Sequence, residues 1–134
     1  MNYHTGPHSI RELLVLLKEI EFFRYFPRNR NFQDYLECLI PVEDEKDLNS
    51  VDEEVTNIAG RHPNLMFSIA GQAKWKRLRI TISNGLAPED LTPKQFQESS
   101  EFEKELKAFC STRNLKLMAP DTTGWGFNAQ EFLD

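Results

Sequence analysis

Three observations predict an α+β fold in which a four-stranded antiparallel sheet carries two helices on one face. Apolar and polar residues alternate in short runs at residues 35–42, 65–70, 78–83 and 115–119, the period of a strand with one buried face. Between these runs lie apolar stripes at helical spacing, opened by capping signatures. Read along the chain, the elements run helix, strand, helix, strand, strand, helix, strand.

The leading helix is expected over residues 9–26. Ser9 and Glu12 form a capping box, in which hydroxyl and carboxylate each satisfy an orphan backbone N–H, and Ile10, Leu13, Leu14, Leu17 and Ile20 follow at helical spacing. Pro27 closes it. Val15, Leu16, Phe22, Phe23 and Phe26 lie off that stripe, so the helix is apolar around much of its girth and has neighbours on two sides. In the first strand Leu36, Cys38, Ile40 and Val42 alternate with Tyr35, Glu37 and Leu39.

A second helix is expected to begin near residues 47–50, with Ser50 and Glu53 as capping box, Leu48, Val51, Val55 and Ile58 as core stripe and Gly60 as stop. Residues 71–73 should join the two middle strands, and Asn84 with Gly85 should end the second of them. Thr92, Pro93 and Gln95 open the last helical region. Ser100 and Glu103 repeat the signature, which predicts one turn followed by a main helix carrying Phe102, Leu106 and Phe109. Pro120 stops the final strand. Trp125, Phe127 and Phe132 make residues 121–134 too aromatic for a free tail, and a docked tail is expected.

After the leading helix, this order resembles the ferredoxin-like split β-α-β sandwich. The resemblance is one of element order alone, so no site residue follows from it. The expected organisation is a single domain over residues 1–134: the leading helix, a β-α-β-β-α-β core over 32–120, and the docked tail.

Composition narrows the function classes. With 134 residues, 40% hydrophobic and 28% charged, the chain can bury one core without disulfide or metal. Cys38 and Cys110 sit in apolar stretches with no CxxC spacing, which predicts reduced core thiols and argues against a zinc knuckle or redox motif. Residues 10–26 carry Arg11, Glu12, Lys18, Glu19, Glu21 and Arg24, too many charges for hydrocarbon, so no membrane association is expected. The N-terminus lacks the pattern of a signal peptide, and a cytoplasmic protein is expected.

Charge is segregated. Glu43, Asp44, Glu45, Asp47, Asp52, Glu53 and Glu54 face a single Lys46, placing −6 in residues 43–54 of a chain whose net charge is −5. Basic residues gather at Arg24, Arg28 and Arg30, among Tyr25, Phe26 and Phe32, and at Lys74, Lys76, Arg77 and Arg79 around Trp75. If Leu36, Cys38, Ile40, Leu78, Ile80 and Ile82 face the helices, the other sheet face shows Tyr35, Glu37, Leu39, Arg77, Arg79, Thr81 and Met118. That face is to be covered by the leading helix or by a partner.

No catalytic arrangement can be read from the chain. His4 and His8 are separated by Gly6 and Pro7, which break the helix a metal pair would need, and His62 precedes Pro63 in a turn. The acidic stretch lacks the glycine and ligand spacing of a calcium loop, so neither metal nor cofactor is expected. The reading is a non-enzymatic protein-interaction domain, a regulatory adaptor, inhibitor or immunity-type protein. Glu43, Asp44, Glu45, Asp52, Glu53 and Glu54 would meet a basic partner, and a homodimer is compatible. The alternative is a single-stranded nucleic-acid binder using Arg24, Arg28, Arg30, Trp75, Lys76, Arg77 and Arg79. Against it, the third strand of the split core lacks the basic-Gly-aromatic run of sheet-type RNA binders, and the overall balance is acidic. An enzyme of unknown class is the second alternative.

Overall fold

Side chains on a strand alternate between faces, so a buried alternate set fixes which way each strand must lie. The computed structural model describes Val15 and residues 18–27, 33–85 and 90–121. Within these, β1 (Arg24–Phe26), β2 (Tyr35–Pro41), β3 (Met66–Gln72) and β4 (Arg77–Ser83) form one antiparallel sheet of order β1-β2-β4-β3. Leu36, Cys38 and Ile40 on β2, with Leu78, Ile80 and Ile82 on β4, are fully buried, as the alternation requires. Their register partners run straight across the sheet: Leu36 opposite Ile82, Cys38 opposite Ile80, Ile40 opposite Leu78.

Both helices, α1 (Glu45–Ala59) and α2 (Pro93–Thr112), cover this inner face. On α1, Leu48, Val51, Val55 and Ile58 are buried, and Leu48 lies against Gly71, the register partner of inward-facing Leu78. On α2, Phe96 meets Tyr25 edge-on at 5.5 Å and Phe102 meets Phe67 at 4.7 Å between ring centroids. The core is thus one layer of helices on one sheet.

Several boundaries differ from the sequence reading. Residues 18–23 are non-helical, with a turn at 18–19 and a bend at 21–22, and residues 24–26 are strand, so Pro27 does not close a helix. Tyr25 lies opposite Leu36 in the sheet and points into the core, which an amphipathic reading of 20–26 assigned to a helix. Val15 is helical; the rest of the expected leading helix, and the tail at 122–134, lie outside the described residues. Helix α1 starts earlier than expected, because Asp44 rather than Ser50 is the N-cap, its carboxylate accepting from the Lys46 N–H at 2.8 Å. Gly71 and Gln72 extend β3, and the turn is the 3-10 segment Ala73–Trp75 closed by Lys76 in the left-handed region at φ 52°.

Helix α2 is one continuous element with the expected Thr92–Gln95 capping box. Ser100 and Glu103, read as a second start, are buried in its middle. The expected strand at 115–119 is reduced to one antiparallel bridge between Leu39 and Met118, closed by two backbone hydrogen bonds of 2.8 Å. Beside β2, the edge position is therefore shared between β1 and this bridge. Cys38 and Cys110 are free and buried, as expected.

Candidate functional site

The acidic residues have unequal duties in the fold. Asp44 caps α1, and Glu45 and Asp47 stand in its first turn, where the helix dipole favours negative charge. Glu54 forms an ion pair with Arg113 at the end of α2, and Glu43 reaches Lys76 at 3.5 Å, with both ends largely exposed. Asp52 accepts a hydrogen bond from the Thr56 hydroxyl at 3.2 Å and stands over Gly71, 3.8 Å from where a β-carbon would lie. Glu53 is exposed well past the first turn, where the dipole offers nothing, and the last turn of α1 carries no base. Glu45, Asp47 and Glu53 are exposed and make no ion pair with any described residue.

The basic residues are brought together differently from the expectation. Trp75 is 61% exposed at the tip of the β3–β4 hairpin, with Lys74 at 5.5 Å and Arg77 at 5.7 Å from its ring centre. Arg77 also donates to Gln72 at 2.7 Å, and Arg79 pairs with Glu37 at 2.7 Å, while Arg24 stands opposite Glu37 in the register. On the open face Glu37 thus pairs with Arg79, while Arg77 is held by the neutral Gln72 amide. The far end of that face is apolar: Phe26 stacks on Tyr35 at 4.7 Å and Met66 is exposed, while exposed Met118 lies beside Leu39, level with Arg79. Tyr35, Glu37, Leu39, Arg77, Arg79 and Thr81 fall on this face, as the alternation predicts. Leu39 is nevertheless only 8% exposed. Arg28 and Arg30 lie outside the described residues.

Two buried carboxylates escaped the sequence reading. Glu103 accepts three backbone N–H groups, from Glu21 at 2.7 Å, Phe22 at 2.9 Å and Phe23 at 3.0 Å, and so ties the bend before β1 to α2. Asp34 accepts the Tyr25 hydroxyl at 3.0 Å and the Leu91 N–H at 2.7 Å. Burial, with Asp34 beside it, raises the Tyr25 phenol far above its ordinary range. Burial and then Glu103 raise the Cys38 thiol, and burial pushes Cys110 up to about 11, so both stay protonated at neutral pH and are poor nucleophiles. In sequence these acids look like any others; only a bend that presents three N–H groups at one point distinguishes Glu103.

His62 is packed edge-on against Phe102 at 5.5 Å and contacts the Glu105 carboxylate, which also takes two hydrogen bonds from Arg61. Burial works to raise the Glu105 carboxyl, but His62 and Arg61 together hold it below its usual range. This cluster latches the turn after α1 onto α2. Among the described residues no group of three His, Cys, Asp or Glu is placed to hold a metal, and no helix is long and apolar enough to cross a membrane.

No protein-family model, curated protein or solved structure matches this chain.

Proposed function

We propose that this chain is a non-enzymatic protein-interaction domain, a cytoplasmic adaptor, inhibitor or immunity-type regulator, whose α1 helix meets a basic partner. One observation carries the reading: Asp44 alone caps the helix, yet Glu45, Asp47 and Glu53 stay exposed without ion pairs among the described residues. Charge of one sign held on one helix raises the encounter rate with an opposite surface. Its architecture reads as a ferredoxin-like core in which β1 and the Met118 bridge share the fourth strand's place.

Replacing Glu45 and Glu53 together by Lys should leave the fold intact, because neither side chain is buried or ion-paired to a described residue. Against the partner captured from native lysate, association should slow by about tenfold at low salt and lose much of its salt dependence. An unchanged on-rate removes α1 from the interface.

A second reading, binding of single-stranded nucleic acid, is favoured by Trp75, exposed with Lys74 and Arg77 over its ring. It is tested by titrating single-stranded RNA against Trp75→Ala. A stacking role predicts roughly a tenfold or greater loss of affinity, whereas no binding to the unaltered protein ends that reading.

A further inference from the structure

We infer that the edge of β3 left unpaired by the described residues takes up an extended, basic peptide segment of the partner as an added strand, resting on the interaction reading above. Strand β3 runs for seven residues, Met66–Gln72, and among the described residues pairs with β4 alone. No described residue pairs with its other side, and Met66, Ser68, Ala70 and Gly71 are exposed. In an antiparallel pair, alternate residues turn their N–H and C=O away from the partner, so half of the backbone groups of β3 face outward. Edges are ordinarily blunted by charge, proline or shortness. This one carries neither charge nor proline. The opposite edge of the sheet, by contrast, is the three-residue β1 with Arg24 in it. Strand addition to such an edge draws affinity from the main chain and specificity from alternate side chains.

Helix α1 decides which chemistry the added strand carries. Asp52 overhangs the edge at Gly71, on the helix-covered face, and Glu45 lies two turns earlier along the same side of the helix. Alternate side chains of an added strand would point to that side, where Lys or Arg meets carboxylate. A second copy of the chain fits less well. Pairing β3 with β3 would set two α1 helices side by side, each with five acids against one lysine, and like charges oppose that approach.

The probe is a fluorescein-labelled peptide of about ten residues alternating Val and Lys, with a Val–Glu peptide as control. Its anisotropy is followed against the full chain, and backbone hydrogen exchange is read with and without it. Expected are binding of the Val–Lys peptide only, new protection confined to residues 66–72, and about tenfold weaker binding by Asp52→Lys at low salt, with the control peptide gaining. Among the described residues Asp52 makes only an exposed hydrogen bond, to Thr56, so the variant should keep its melting temperature. Asp52→Asn, which removes the charge alone, should fall between the two.

Protection placed elsewhere, no binding, or an unchanged affinity in Asp52→Lys overturns the proposal. So does protection of residues 66–72 that rises with concentration in the free protein, since a second copy then fills the edge. If the peptide fails while the captured partner still associates more slowly with the Glu45/Glu53 variant, the edge is wrong and the interaction reading stands. If neither responds, both fall.

Discussion

Glu103 does at the scale of one residue what a turn does elsewhere: a single carboxylate gathers three N–H groups of the bend at residues 21–23 and holds β1 against α2. Because charge-assisted hydrogen bonds are the stronger kind and a buried donor left unmade is costly, Glu103→Gln should destabilise by about 2–3 kcal/mol in urea melts. The amide can accept with one oxygen only and turns its own donors toward N–H groups. A cost near zero would show that the bend is held by other contacts. Tyr25 supplies the pH dependence. Its phenol must stay neutral in the fold, and its folded value is raised above the ordinary 10.0. Its contribution is therefore whole below that value and is lost as pH rises past it, where the unfolded chain ionises and the folded chain does not. Melting temperatures followed from about pH 8 to pH 11 should fall steeply at the alkaline end, and less steeply in Tyr25→Phe.

At the scale of the element, β4 is the strand on which the sheet depends, paired on both sides and buried at every second residue. Ile80→Ala at its centre should cost roughly 2–5 kcal/mol, from lost transfer energy and the cavity left behind. Under 1 kcal/mol in a denaturant melt would mean that the site collapses readily. Along α1 the duties divide by position. Its first-turn acids also meet the helix dipole while staying exposed, Glu54 holds Arg113, and Asp52 and Glu53 carry charge past the stretch that the dipole rewards. The β3–β4 hairpin shows why the turn was misplaced in the sequence reading: Gly71 suggested a bend, but the chain continues straight and turns through Ala73–Trp75, with Lys76 supplying the left-handed residue.

Over the whole molecule, the two charged regions are less separate than the linear sequence suggests. The Val42 N–H donates to the Lys76 carbonyl at 2.8 Å, so the acidic loop after β2 sits beside the basic hairpin turn, and Glu43 reaches Lys76. The sheet's basic side chains are engaged by Glu37, Gln72 and Glu43, whereas exposed acids on α1 are not engaged by any described residue. This asymmetry is what the proposed basic partner would meet. The Glu45/Glu53 reversal and the peptide titration read different parts of that asymmetry, long-range steering in the first and edge pairing in the second.

Alternation and capping were legible in the linear chain because they are local. Leu36, Cys38, Ile40, Leu78, Ile80 and Ile82 had to share one face whatever the fold around them, and Thr92, Pro93 and Gln95 had to open a helix. Where one pattern served two structures, the sequence alone could not choose: Arg24–Phe26 extends an apolar helical stripe equally well, and it became strand because β2 offered an edge to pair with. Ser100 and Glu103 matched a capping box but lie mid-helix, since the orphan N–H groups that Glu103 satisfies come from a segment about 80 residues away. The candidate interface has the same origin. Which acids are engaged within the fold, and which strand edge the described residues leave unpaired, depends on distances between remote parts of the chain, and only tertiary folding sets those distances.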